Sequence, residues 1–159
     1  MSGLIGEVKR NSGIISAPSF AMLKLSDSQS VTSGTMTKIG FDEMYGGSHG
    51  SISSDGWLVP ESAMYKVDLQ LSCFSGSNNI ESIYCYVALD STTHHVGYLR
   101  SNMSSRHDTA NCTGILRANA GQIIYGYGIT TATSPYFYHD SGTTTGRNTS
   151  TMVITFLEK

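Results

Sequence analysis

The chain has 159 residues, enough for one domain with a sizeable core. Its formal charge is −2 with only 14% charged residues, so it lacks the basic field of a nucleic-acid binder, and no apolar run nears the ~20 residues that span a bilayer. Ser and Thr fill about a quarter of all positions beside 17 Gly and 3 Pro, which favours strands and turns and excludes a helical bundle.

Residues 1–18 lack any sustained period. Two short Gly/Ile segments, carrying Leu4, Ile5, Ile14 and Ile15, flank Glu7 to Asn11. They read as an N-terminal docking tail that orders only on a partner. The segment has no signal-peptide core, and its basic residues follow the apolar ones. It is expected to be made in a cytoplasm.

Residues 19–159 form the second unit, where period-two alternation recurs. Ser19 to Leu25 is predicted as a strand. Thr35 to Phe41 is another, with Thr37, Ile39 and Phe41 on one face. Gly46 to Ser51 reads as a loop, and Ile52 to Val59 as two short strands around Asp55-Gly56. The cleanest alternation places Tyr65, Val67, Leu69, Leu71 and Cys73 on one face, with Lys66, Asp68, Gln70 and Ser72 on the other. Ser75 to Asn79 is a turn.

Ile83, Cys85, Val87 and Leu89 then point inward, leaving Tyr84 and Tyr86 outside. His95 to Leu99 is a short strand, and Asn102 to Asp108 a polar loop. Ala110, Cys112, Gly114 and Leu116 mark a further strand. After a turn at Asn119 to Gly121, Ile123, Tyr125, Tyr127 and Ile129 share a face. Gly126 and Gly128 sit opposite, where another group must pack close to the backbone. Pro135 to His139 is aromatic, and Ser141 to Thr149 is a Gly/Thr loop. Met152, Ile154 and Phe156 face inward from the last strand. Eight to ten strands without a helix pattern predict a sandwich, jelly roll or barrel.

Chemistry-bearing motifs are weak. Cys73, Cys85 and Cys112 lack metal or scaffold spacing and read as buried free thiols. Gly46-Gly-Ser48-His-Gly50 matches G-x-S-x-G, but no helix follows to form a nucleophile elbow. His94 and His95 point to opposite faces of a strand and cannot readily chelate one ion. A ring of one His from each of three subunits is the remaining metal option. The chain is expected to be no enzyme, with no cofactor and no metal.

The tyrosines are more informative. An aromatic outer face at Tyr84, Tyr86, Tyr125 and Tyr127 is either covered by a second layer or buried in a subunit interface, and the interface is the favoured reading. Tyr136, Phe137, Tyr138 and His139 form either a receptor-contact patch for a glycan or protein, or a buried strand.

The order of these features resembles the antiparallel jelly-roll sandwich of complement globular heads and tumour-necrosis-factor-like proteins. The resemblance rests on Ile39-Gly-Phe41-Asp42 before a variable loop, and on Trp57-Leu-Val-Pro60 leading to Tyr65 and the clean strand. Thr113 to Tyr125 resembles the family's paired strands around a Gly-Asp turn, with Gln122 in place of Asp. Met152 to Leu157 resembles the final strand. Ala63-Met64 replace the family's Gly before the tyrosine. The resemblance implies an all-β domain over residues 19–159 that forms a homotrimer.

With a short docking tail in place of a stalk, the chain looks like a bacteriophage virion protein: a capsid decoration protein, head fibre or tail-fibre knob. Other virion proteins would bind the tail, and a host-surface glycan or protein would meet the knob. The alternative is a lectin-like ligand-binding module outside any virion.

Overall fold

The computed structural model describes residues 19–47, 49–76, 80–100, 107–139 and 149–158, without the side chains of His94, His95, Tyr98, Leu99 and Arg100. The described residues form strands and turns only. In chain order the strands are β1 (Phe20–Lys24), β2 (Gln29–Ser30), β3 (Thr37–Lys38), β4 (Glu43–Gly47), β5 (Ser51–Ser53), β6 (Gly56–Leu58) and β7 (Ala63–Ser75). There follow β8 (Ser82–Leu89), β9 (Thr92–Arg100), β10 (His107–Ala118), β11 (Ile123–Thr131), β12 (Pro135–Phe137) and β13 (Thr151–Glu158).

All pairings are antiparallel, and they build two sheets. One runs β2-β12-β7-β13-β1-β4, with β10 also on β7. The other runs β5-β6-β11-β8-β9, with β3 also on β11. This is an antiparallel jelly-roll sandwich, in which both sheets turn an apolar face inward.

Strand β7 carries the design. Tyr65, Val67, Leu69, Leu71 and Cys73 are all buried, in the phase the alternation predicts. Each such side chain contributes about 1.5–3 kcal/mol through burial. Ile83, Cys85 and Val87 of β8, and Met152 and Ile154 of β13, meet them in one core with Trp57, Phe41 and Ile39. Gly126 and Gly128 face this core. A Cβ on Gly126 would lie 2.9 Å from Leu69 Cδ1, and one on Gly128 would lie 2.3 Å from Phe137 Cζ. The close packing expected at these glycines is therefore supplied by Leu69, Phe41 and Phe137.

Several boundaries differ from expectation: β9 begins at Thr92 instead of His95, and β10 already starts at His107 inside the expected polar loop Asn102 to Asp108. The predicted strand Thr35 to Phe41 shortens to β3, because the chain changes sheets there. Ile39 N–H still donates to Gly126 O on β11, while Phe41 N–H turns back to Ile39 O. The Gln29 amide pins this corner by donating to Lys38 O (2.8 Å) and accepting from Gly40 N–H (2.9 Å). The predicted loop at Gly46 starts later, since Gly46 and Gly47 already pair with Met22 and Ala21. The hairpin between β5 and β6 turns at Ser54 and Asp55, both with positive φ, and Gly56 is a buried strand residue. Positive φ at both central residues is the two-residue turn whose twist matches a hairpin.

Candidate functional site

Among the described residues, two outward sheet faces and one aromatic end group aromatic or aliphatic side chains at the surface. Register gathers the four expected tyrosines on the six-stranded sheet. Tyr127 of β11 stands opposite Tyr86 of β8, and Tyr84 stands opposite Ile129. The Tyr84 and Tyr86 rings stack at 6.3 Å between centroids, and Tyr125 and Tyr127 meet edge-on at 6.2 Å. All four are half-buried, and Val96 of β9 adds an exposed aliphatic group opposite Tyr86. Lys38 Nζ lies 5.1 Å above the Tyr125 ring and 3.0 Å from Asp55 Oδ2. The hydrogen bond to Asp55 is the main reason that the Lys38 pKa is raised.

The aromatic end is built from β7, β10 and the segment from β12. Tyr136 stacks on Phe74 with centroids 5.1 Å apart. Tyr138 lies 6.1 Å from Tyr136 and 5.7 Å from the His107 ring. Backbone bonds from Tyr138 N–H to Ser72 O, and from Ser150 N–H to Tyr138 O, hold the segment to the sheet edge. The expected four-residue contact patch needs one correction. Phe137 is fully buried, because the alternation of β12 turns it into the core beneath Gly128. His139 is anchored through its N–H to Ser28 Oγ at 3.1 Å. Phe74 and His107 were not singled out from sequence; their signal was the outward phase of β7 and the start of β10.

The outward face of the seven-stranded sheet was also missed. Ile115, Leu157 and Phe20 are 53%, 44% and 41% exposed. Met22 and Val153 lie beside each other in the same outward phase. Each is one residue of an alternating strand, so no run in the sequence marks the group. Between β7, β10 and β13 lies an open hollow of about 310 Å³, whose lining includes Asp68, Gln70, Asn111, Cys112, Thr113 and Val153. Asp68 accepts from Thr113 Oγ1 at 2.7 Å and pairs with Lys66 Nζ at 2.8 Å. Burial disfavours the Asp68 charge, but these bonds outweigh it and hold the pKa below the ordinary carboxylate value.

Among the described residues, no three His, Cys, Asp or Glu side chains gather as a metal set. Ser48 of the G-x-S-x-G match lies outside the described residues, as do Leu4, Ile5, Ile14 and Ile15 of the expected docking tail. His94 and His95 sit on β9, with side chains outside the described set. His49 lies 5.9 Å from the Phe156 ring and 6.0 Å from the Trp57 ring, and its backbone carbonyl accepts the Trp57 indole N–H at 2.8 Å.

The fold these faces belong to is the tumour-necrosis-factor-like jelly roll. Among solved structures, the chain is similar to Eiger TNF from S. frugiperda, with a TM-score of 0.63 and 11% identity over 90% of this chain and 95% of that one. It is also similar to murine APRIL. The pH 8.0 structure gives a TM-score of 0.63 and 12% identity, and the pH 5.0 structure 0.61 and 13%. Each match covers 89% of this chain and 100% of murine APRIL. No protein-family model matches the chain, and no curated protein matches it in sequence.

Proposed function

We propose that the chain is a non-enzymatic structural knob of a bacteriophage particle, a homotrimer fixed to the particle by residues 1–18. The observation that carries the self-association is the exposed Phe20, Ile115 and Leu157 on the outward face of one sheet. Aliphatic and phenyl groups gain most from leaving water, whereas a tyrosine hydroxyl keeps a partner in it. This supports a subunit contact on the seven-stranded sheet. In this arrangement the four tyrosines expected at the interface lie on the outside of the knob. There Tyr84, Tyr86, Tyr125 and Tyr127 are available to a host surface, as are Tyr136 and Tyr138 at the aromatic end. The similarity to tumour-necrosis-factor-like folds supports a trimer as the assembly.

The mechanism is passive. The two-sheet core keeps the knob rigid, the Leu4/Ile5 and Ile14/Ile15 pairs dock it, and the outer rings meet a host glycan or protein. Co-sedimentation with particles tests the reading. The full chain should pellet with them, and a chain lacking residues 1–18 should stay in the supernatant while remaining folded. Equal behaviour of both chains, with glycan binding retained, would instead favour the lectin-like module.

A further inference from the structure

Cys85 on β8 and Cys112 on β10 belong to different sheets, yet their thiols hydrogen-bond to each other. Facing sheets normally lie about 10 Å apart, too far for two cysteine side chains to meet. Gly97 removes that gap. It pairs with Cys85 across β8 and β9, and a Cβ there would lie 2.1 Å from Asn111 O and 2.6 Å from Cys85 Sγ. With no side chain at Gly97, the β9 backbone closes directly onto β10 at the residue before Cys112. The Cys112 sulfur also meets the backbone of Val87, the next inward residue of β8. Both cysteines are buried, and all three cysteines of the chain carry free thiols.

We infer that Cys85 and Cys112 are a paired modification site, which a small peroxide converts to an intramolecular disulfide joining the two sheets. The Cys112 sulfur attacks one peroxide oxygen; the O–O bond breaks, a sulfenic acid forms, and the leaving hydroxide takes the Cys112 thiol proton as the first water. The Cys85 sulfur then displaces that hydroxyl, and its proton leaves with it as water. Overall, two thiols and one hydrogen peroxide give one disulfide and two waters. The same Cys85–Cys112 hydrogen bond is the main cause that lowers the Cys112 pKa and raises that of Cys85. Cys73 stands apart. Burial pushes its pKa up to about 11, and its nearest polar partner is Thr130 Oγ1 at 3.3 Å. This site is independent of the assembly and of any particle.

The full chain is treated with hydrogen peroxide, and separately refolded in a glutathione redox buffer that gives access to every thiol. Each sample is then denatured, alkylated, and mapped by non-reducing digestion. The expected result is the Cys85–Cys112 cross-linked peptide with Cys73 alkylated, and a Tm raised by about 5–10 °C that falls back on reduction. A Cys73→Ser variant should still form the bond, and a Cys112→Ser variant should not. Three alkylated thiols after both treatments, or a cross-link that uses Cys73, would overturn the inference.

Discussion

The ring of Phe137 occupies the space that a side chain at position 128 would need. A Cβ on Gly128 would come within 2.3 Å of Phe137 Cζ and 2.8 Å of Leu71 Cδ1. Gly128→Ala therefore forces a buried ring or strand to shift and is expected to cost about 1–3 kcal/mol. Gly121→Ala is the control. Its φ is +88°, but nothing lies within 4 Å of an added Cβ, so only the backbone term of about 1–2 kcal/mol remains. Urea unfolding should show the larger loss of midpoint at Gly128, with an unchanged slope.

A second prediction concerns the single tryptophan. A Cβ on Gly50 would fall 2.4 Å from Trp57 Nε1, and Gly50 has φ +77°. Gly50→Ala should therefore expel the indole from its contact with His49 O and red-shift its emission in the folded state. Trp57→Phe keeps the ring volume in part but leaves that carbonyl without the indole donor, at a cost of about 1–3 kcal/mol. An unshifted emission maximum in Gly50→Ala would contradict the packing described.

Much of this fold was legible before any coordinate. Period-two alternation located β1, β7, β8, β10, β11 and β13, and gave the inward phase of β7 and β8, because a sandwich strand is buried on one side only. Gly126 and Gly128 announced a close approach, but not that Phe137 was one of the groups approaching. That aromatic segment was ambiguous because three strand residues carry too little period to fix a phase. The sheet switch at Ile39 was invisible, since it depends on Gln29 from another element. The exposed face at Phe20, Ile115 and Leu157 was hidden for a related reason: its members are far apart in sequence and share a sheet face only through register.

Asp68 gives a pH prediction. Its folded pKa is lowered, so its contribution is fully present above the unfolded value of about 4 and is lost as pH falls through the lower folded value. The carboxylate is partly exposed, so solvent screening keeps the effect within about 1 kcal/mol. Asp68→Asn should reduce stability at neutral pH and flatten its acid dependence below pH 4. Denaturant midpoints from pH 2 to 7 check the sign. A steeper acid loss in the variant would contradict the assignment.

The two faces should separate by mutation. Ile115→Glu places a charge on the seven-stranded sheet's exposed face and is expected to dissociate the assembly while the far-ultraviolet strand signal is retained. Tyr127→Glu on the other sheet should leave the assembly intact and weaken attachment of particles to host cells. Sedimentation velocity reads the first effect and adsorption assays the second. The reverse pattern would return the interface to the tyrosines.

The most direct test of the central claim is the native mass by light scattering of the full chain and of Ile115→Glu. The account predicts about 51 kDa for the full chain, three times its 17.1 kDa, and a single-chain mass for the variant. A full chain that remains a monomer at micromolar concentration would contradict the trimeric knob.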